Sequence, residues 1–173
     1  EDFFINVNLS RRQLVHPGLL DSLQEAVDPA GVPARNVKLE ITETVVMDER
    51  VDMIPIMKEI RDRGFPLAID DFGTGYSSLS CLHEFPIDVL KIDRSFTVNM
   101  ETRREFAAVL QAIATLAHHL QLSVVVEGVE NRAQLAQLQA MDCEYAQGYL
   151  FSKPLSAAAA EEHLEKQAAP QAL

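Results

Sequence analysis

The chain has no tryptophan and only two cysteines, Cys81 and Cys143, which stand far apart with no CxxC spacing. A disulfide scaffold and a cysteine-rich zinc site are therefore not expected, and a reducing, cytoplasmic setting is. Long apolar runs are also lacking. None approaches the roughly 18 residues needed to span a bilayer. Basic residues are scarce: 15 Lys and Arg against 26 Asp and Glu give a net charge of −11. Such a surface disfavours duplex DNA, RNA and anionic membranes. An anionic ligand stays compatible with it, because bound divalent cations invert the local field. The opening "EDFFINV" carries neither a signal peptide nor an initiating methionine. We therefore expect a piece of a longer parent, which could itself be membrane-tethered.

What is present is alternation. Short β-rich runs, "FFINVNLS" (3–10), "NVKLEIT" (36–42), "FPLAIDD" (65–71), "DVLKID" (88–93), "SVVVEGV" (123–129) and "YAQGYLF" (145–151), are separated by longer segments. Four of those segments carry helical patterns, at Leu14–Val27, Val51–Arg63, Glu101–Leu120 and Ala133–Met141. Steady alternation predicts parallel βαβ units. Strand side chains alternate between faces. One face carries Ile5 and Val7, Leu39 and Ile41, Leu67 and Ile69, Leu90 and Ile92, Val124 and Val126, and is expected to pack on helices. The other turns polar near each strand's C-terminal end. A doubly wound, flavodoxin-like sheet would be covered on both faces and read apolar on both. The pattern instead predicts an α/β fold of the (β/α)8 TIM-barrel type, with its site on the C-terminal rim. Six βα units are present, so the first two strands are expected to be missing. A partial barrel domain over residues 1–165 and a tail over 166–173 complete the expected organisation.

The strand ends supply Asn8, Glu40, Asp70 with Asp71, Lys91 with Asp93, Glu127 and Gln147. Bare carboxylates converging there would repel one another, and hard cations such as Mg²⁺ or Mn²⁺ resolve that through oxygen ligands. Adjacent Asp70 and Asp71 suit a pair of ions. No histidine lies at a strand end, which argues against zinc. Each residue has a plainer reading, since an acidic residue after a strand commonly caps the next helix. A set of six with matching parity is harder to explain that way. Lys91 as a Schiff-base lysine would need a depressed pKa, which surrounding carboxylates oppose. "DFGTGYSS" lacks the Walker lysine and the GxGxxG order, so its glycines read as a tight turn beside a site. His118 and His119 are adjacent on a helix and cannot chelate together. Met53 and Met57 are expected in the core.

"NVNLS", "KLEITET", "IDDFGTGYSSL", "LKIDRSF", "VVVEGVE" and "AQGYLFSKP" occur here in the order and approximate spacing of the EAL-domain cyclic di-GMP phosphodiesterases, and the chain resembles that family over roughly residues 3 to 165. The resemblance implies hydrolysis of cyclic di-GMP to linear pGpG with two Mg²⁺ or Mn²⁺ ions. Carried over by motif, Asn8, Glu40 and Asp70 resemble ligands of a first ion. Asp70 resembles a bridge to a second, which Asp71 and Glu127 complete. Glu127 also resembles a general base, and Lys91 a residue holding the attacking water. Asp93, Glu130 and Gln147 match site-lining positions, and Glu43 matches the glutamate that anchors the loop after Asp71. The same resemblance implies a homodimer through that loop, and upstream sensory or cyclase domains.

One departure stands out. The Glu-Ala-Leu segment that names the family is absent, along with a first-ion glutamate and the strands around it; "QEAV" at 24–27 lies in a helix and is no substitute. The 173 residues are therefore expected to hydrolyse slowly or not at all by themselves. The alternative is a non-catalytic cyclic di-GMP receptor or regulatory interaction module. A barrel lyase using Lys91 is a third, weaker reading.

Overall fold

The computed structural model describes residues 3–48, 51–75 and 79–168. Six parallel strands form a single sheet in sequence order: β1 (Ile5–Asn8), β2 (Val37–Thr42), β3 (Leu67–Phe72), β4 (Val89–Ile92), β5 (Ser123–Val126) and β6 (Tyr145–Ala146). Each crossover carries helix: α1 (Arg11–Leu14) and α2 (Leu19–Val27) after β1, and α3 (Glu43–Val46) and α4 (Ile54–Asp62) after β2. A six-residue 3-10 turn, Leu79–Glu84, follows β3. Beyond it come α5 (Arg94–Met100), α6 (Arg104–His119), α7 (Arg132–Ala140) and the terminal α8 (Ala157–Ala168). Strand order equal to chain order, with every pair parallel, is the connectivity of a (β/α) barrel wall. The sheet curls far enough that Phe4, just before β1, meets Tyr145 of β6, ring centroids 6.1 Å apart. The molecule is a half-barrel with helices on its convex side.

The core lies between sheet and helices. Leu39, Ile41, Leu67, Ile69, Leu90, Ile92, Val124 and Val126 are essentially inaccessible, as are Met57 and Ile60 of α4 and Leu110 and Ala117 of α6. Burying such a side chain is worth about 1.5–3 kcal/mol, so the apolar strand parity is what seats the sheet. Met53 is buried with them. Gly64, with φ +88°, follows α4 as its left-handed stop. The concave side buries little apolar surface, mainly Ala68, Val89 and Val125.

Several expectations are corrected. Ile5 and Val7 share the core parity yet remain 47% and 36% exposed, because no described helix covers the convex side of the edge strand β1. The helix expected over Leu14–Val27 is two, since Pro17 and Gly18 separate α1 from α2. The helix expected from Glu101 is preceded by α5, which starts at Arg94 with the Asp93 carboxylate accepting from Ser95 N at 2.9 Å. The run 145–151 is strand only at Tyr145–Ala146. Beyond it the chain turns so that Gly148 lies against the Val129 backbone, where an added Cβ would fall 2.2 Å from the Val129 carbonyl oxygen.

Among the described residues no helix is long and apolar enough to cross a membrane.

Candidate metal and catalytic site

Four strands converge on one lysine. Lys91 of β4 is buried, and its Nζ lies 2.7 Å from Glu40 Oε1 of β2, 2.7 Å from Asp70 Oδ1 of β3 and 2.7 Å from Glu127 Oε1, one residue past β5. An ammonium has three N–H donors, and three carboxylates take them. Burial alone would lower the Lys91 pKa, but the hydrogen bonds to Asp70, Glu127 and Glu40, with the Glu127 charge, outweigh it and hold the group well above its ordinary value. This is the opposite of what an amine nucleophile needs. Burial pushes the Glu127 carboxyl up, and the charges of Asp70 and Glu40 add to that against the pull of Lys91.

Asp71 joins the cluster by an unusual backbone. Neighbouring strand residues normally point to opposite faces, yet Asp70, Asp71 and Glu127 each offer an oxygen within 4.8 Å of the other two. The register between β3 and β4 slips between Ile69 and Phe72, and Asp71 adopts φ +55°. A bulge and a left-handed residue together turn a second carboxylate toward the rim. Burial and the neighbouring charges of Asp70 and Asp93 raise the Asp71 pKa. The turn closes with Thr74 N and Oγ1 both donating to Asp71 O, at 3.3 and 2.9 Å.

Glu43, at the start of α3 and almost fully buried, sits beneath this turn. Its Oε2 accepts from Gly73 N at 2.6 Å. A Cβ at Gly75 would fall 2.3 Å from Glu43 Oε1, so a larger residue there would push on the carboxylate that the loop wraps.

The remaining sequence-predicted residues are more dispersed. Asn8 ends β1 opposite Glu40 in the register and is exposed. Asp93 spends one carboxylate oxygen on capping α5. Glu130 and Gln147 are exposed. The backbone of Gln147 fastens the rim, its N donating to Val126 O and its carbonyl accepting from Val129 N, at 2.9 and 3.0 Å. Gln147 also lines a cavity of about 590 Å³ between β6 and β1, shared with Phe4, Asn6, Val125 and Lys153. Residues 76–78 of the loop expected to carry a dimer contact lie outside the described residues.

Two contributors escaped the sequence reading. Asn6, two residues deeper than Asn8, donates from Nδ2 to Glu40 Oε1 at 2.7 Å; its place on the polar face was the available signal. Thr97 of α5 is fully buried, and its hydroxyl donates to the Glu127 carbonyl oxygen. Nothing in the local sequence marks it.

The described site offers a cation only oxygen ligands, from adjacent strands, beside a lysine held charged. That donor chemistry fits Mg²⁺ or Mn²⁺. The chain is 44% identical over 160 residues to the cyclic di-GMP phosphodiesterase NbdA of Pseudomonas aeruginosa, a match covering 92% of this chain and 20% of that protein. The EAL domain of Mycobacterium smegmatis DcpA superposes with a TM-score of 0.87 at 37% identity, over 94% of this chain and 73% of that one. Klebsiella pneumoniae BlrP1, solved as a manganese and cyclic di-GMP complex, gives a TM-score of 0.81 at 32% identity, over 87% of this chain and 39% of that one. The chain spans about a fifth of the length of NbdA and of other curated relatives it matches. The EAL domain family model matches residues 1–154; together with the curved parallel sheet and its carboxylate-lined rim, this shows that the chain belongs to the EAL domain family.

Proposed function

We propose that this chain is the rim-bearing part of an EAL phosphodiesterase domain, residues 1–165 followed by a tail at 166–173. In the complete domain it hydrolyses one phosphodiester of cyclic di-GMP to give linear pGpG. The observation that carries the reading is the Lys91 cluster, in which carboxylates from three strands surround one cation with Asp71 alongside. The description of NbdA as a cyclic di-GMP phosphodiesterase and of BlrP1 as a manganese and cyclic di-GMP complex supports the substrate and the cation class.

Asn8, Glu40 and Asp70 would hold one Mg²⁺ or Mn²⁺ ion, and Asp70, Asp71 and Glu127 a second. When bound, such a pair neutralises the phosphodiester and lowers the pKa of water, so that a nucleophile exists at neutral pH. Glu127, whose carboxylate lies against Lys91 Nζ and within 4.8 Å of Asp70 and Asp71, would take the water proton on a carboxylate oxygen. Lys91 stays protonated. One of its N–H groups becomes free to orient the attacking water when a carboxylate turns away from Nζ. Asp93, Glu130 and Gln147 face the nucleotide, and Glu43 holds the loop after Asp71 in place. In this reading the protein works in the cytoplasm as a homodimer through that loop, with sensory or cyclase domains upstream.

The test is chromatographic detection of pGpG from cyclic di-GMP with Mg²⁺ or Mn²⁺, running this chain beside the same chain extended upstream by two βα units. We expect turnover from the longer chain, and little or none once it carries Glu127→Gln or Asp70→Asn. Retention of the wild-type rate by either variant would sink the assignment. Tight nucleotide binding by the longer chain without turnover would establish a receptor instead.

A further inference from the structure

We infer that Gln134 is a positioning residue, whose buried side-chain amide fixes the 127–131 segment and so the Glu127 carboxylate against Asp70 and Asp71. This rests on the metal-site reading above.

Gln134 lies in the first turn of α7 and is 4% exposed. Its Oε1 accepts from Glu130 N at 2.8 Å and Asn131 N at 3.2 Å, while its own backbone N donates to Asn131 Oδ1 at 2.9 Å. That much is a capping box, which needs only the oxygen end of the amide. The nitrogen end does more. Nε2 reaches back to the Thr97 carbonyl oxygen of α5 at 3.3 Å and to Glu101 Oε2 at 3.1 Å. Glu101 Oε2 also accepts from Asn131 Nδ2 at 3.1 Å. Thr97 in turn donates its hydroxyl to the Glu127 carbonyl oxygen. One amide thus ties the end of the segment, at Glu130 and Asn131, to the same α5 residue that holds its beginning, at Glu127. Both ends of a five-residue loop are clamped to one helix, and a carboxylate on that loop is set within 4.8 Å of two others. Groups that orient metal ligands through hydrogen bonds typically change affinity or activity about 10–100-fold when removed.

The donor–acceptor arrangement supplies its own rescue. Gln134→Glu keeps an acceptor for Glu130 N and Asn131 N but sets a carboxylate against that of Glu101. Adding Glu101→Gln returns an amide donor to that contact while leaving an oxygen for Asn131 Nδ2. We would titrate this chain with Mn²⁺ by electron paramagnetic resonance, and measure kcat and KM for cyclic di-GMP in the upstream-extended chain. Gln134→Ala and Gln134→Glu are each expected to weaken Mn²⁺ binding about tenfold and to lower kcat by a similar factor, with KM little changed. The double variant is expected to recover the part of both that runs through the Glu101 contact, since a carboxylate at 134 has no donor for the Thr97 carbonyl oxygen. If Gln134→Ala binds Mn²⁺ and turns over like wild type, the positioning role is overturned. If Gln134→Glu with Glu101→Gln is no better than Gln134→Glu alone, the Glu101 arm of the clamp is overturned as well; this comparison stands even where Gln134→Ala fails to fold. If neither this chain nor the upstream-extended wild type takes up Mn²⁺, the metal reading is overturned and this inference with it. Where wild type binds Mn²⁺ but does not hydrolyse, the binding arm decides.

Discussion

At the scale of single residues, the site holds charge in a balance that two substitutions expose. Lys91 is the cation about which Glu40, Asp70 and Glu127 meet. Removing one partner of a buried ion pair costs about 3–5 kcal/mol, because it leaves uncompensated charge. Lys91→Met is therefore expected to lose about 3 kcal/mol of stability at neutral pH in metal-free buffer, with part of the loss recovered on adding Mn²⁺. Urea denaturation with and without the ion reads both effects, and an undiminished midpoint would show that the carboxylates do not depend on the lysine. Asp71 carries the opposite trade. Its φ of +55° is strained for a residue with a Cβ, and burial and its acidic neighbours raise its pKa. Asp71→Gly relieves both burdens, so it is expected to gain about 1 kcal/mol in metal-free stability while losing turnover in the extended chain. A variant that melts below wild type would mean that the turn after β3 is not strained. Stability given up at a residue that serves chemistry is a familiar exchange.

At the scale of elements, what could be read from the sequence follows from how local each signal is. In β2 to β5, period-two alternation set both the buried face and the polar rim, because the helices that cover those strands lie next to them in the chain. Ile5 and Val7 show the same alternation and are exposed; the pattern reports which side is apolar, not whether anything covers it. Helix α5 went unread because "RSFTVNM" has weak helical periodicity and two β-branched residues, and its start depends on Asp93 acting as cap. The backbone turn at Asp71, the meeting of three carboxylates on Lys91 and the reach of Gln134 to Thr97 arise only when strands and helices far apart in sequence are placed together. The fastening of β6 has the same origin. Glu144, just before it, accepts from Val124 N at 2.9 Å and lies 3.2 Å from His118 Nε2 of α6. Burial works against its ionised form, but these contacts prevail and hold its pKa below the ordinary 4.5. A depressed carboxylate contributes stability that is present above its unfolded value and lost as pH falls through its folded value. Glu144→Gln keeps an acceptor for Val124 N and deletes the charge. Its melting temperature is expected to lie below wild type at pH 7, by the equivalent of about 1 kcal/mol for a half-exposed group. The two curves should converge as pH falls below about 4.5. A gap that persists at pH 3 would assign the effect to packing rather than charge.

At the scale of the whole molecule, the half-barrel separates two kinds of surface. Its convex side is a conventional helix-on-sheet core. Its concave side runs from the carboxylates of the rim, through Ala68, Val89 and Val125, to Lys38, whose Nζ stands 3.4 Å from the Phe4 ring centroid. Burial lowers the pKa of that lysine against the opposing charge of Asp88. Along its two open sides the sheet ends in β1 and β6, and each presents one row of backbone N–H and C=O groups unpaired by any described strand. Apolar side chains stand beside both edges: Phe3, Ile5 and Val7 at one, Tyr145, Tyr149 and Phe151 at the other, all exposed. A net charge of −11 opposes close approach of two copies. An open parallel edge flanked by apolar residues nevertheless invites strand addition from another chain. The 173-residue chain is therefore expected to self-associate with rising concentration, and more strongly at high salt, where the repulsion is screened. Ile5→Lys combined with Val7→Lys leaves the β1 backbone intact and places charge on its apolar side, as natural edge strands do. Sedimentation velocity over a concentration series should find wild type shifting to larger species and the double variant shifting less at each concentration, any association through the loop after Asp71 being common to both. If wild type shows no added association at high salt, the edges are already protected by the curl of the sheet that brings Phe4 against Tyr145. If the double variant associates as readily as wild type, the contact between copies lies elsewhere than β1.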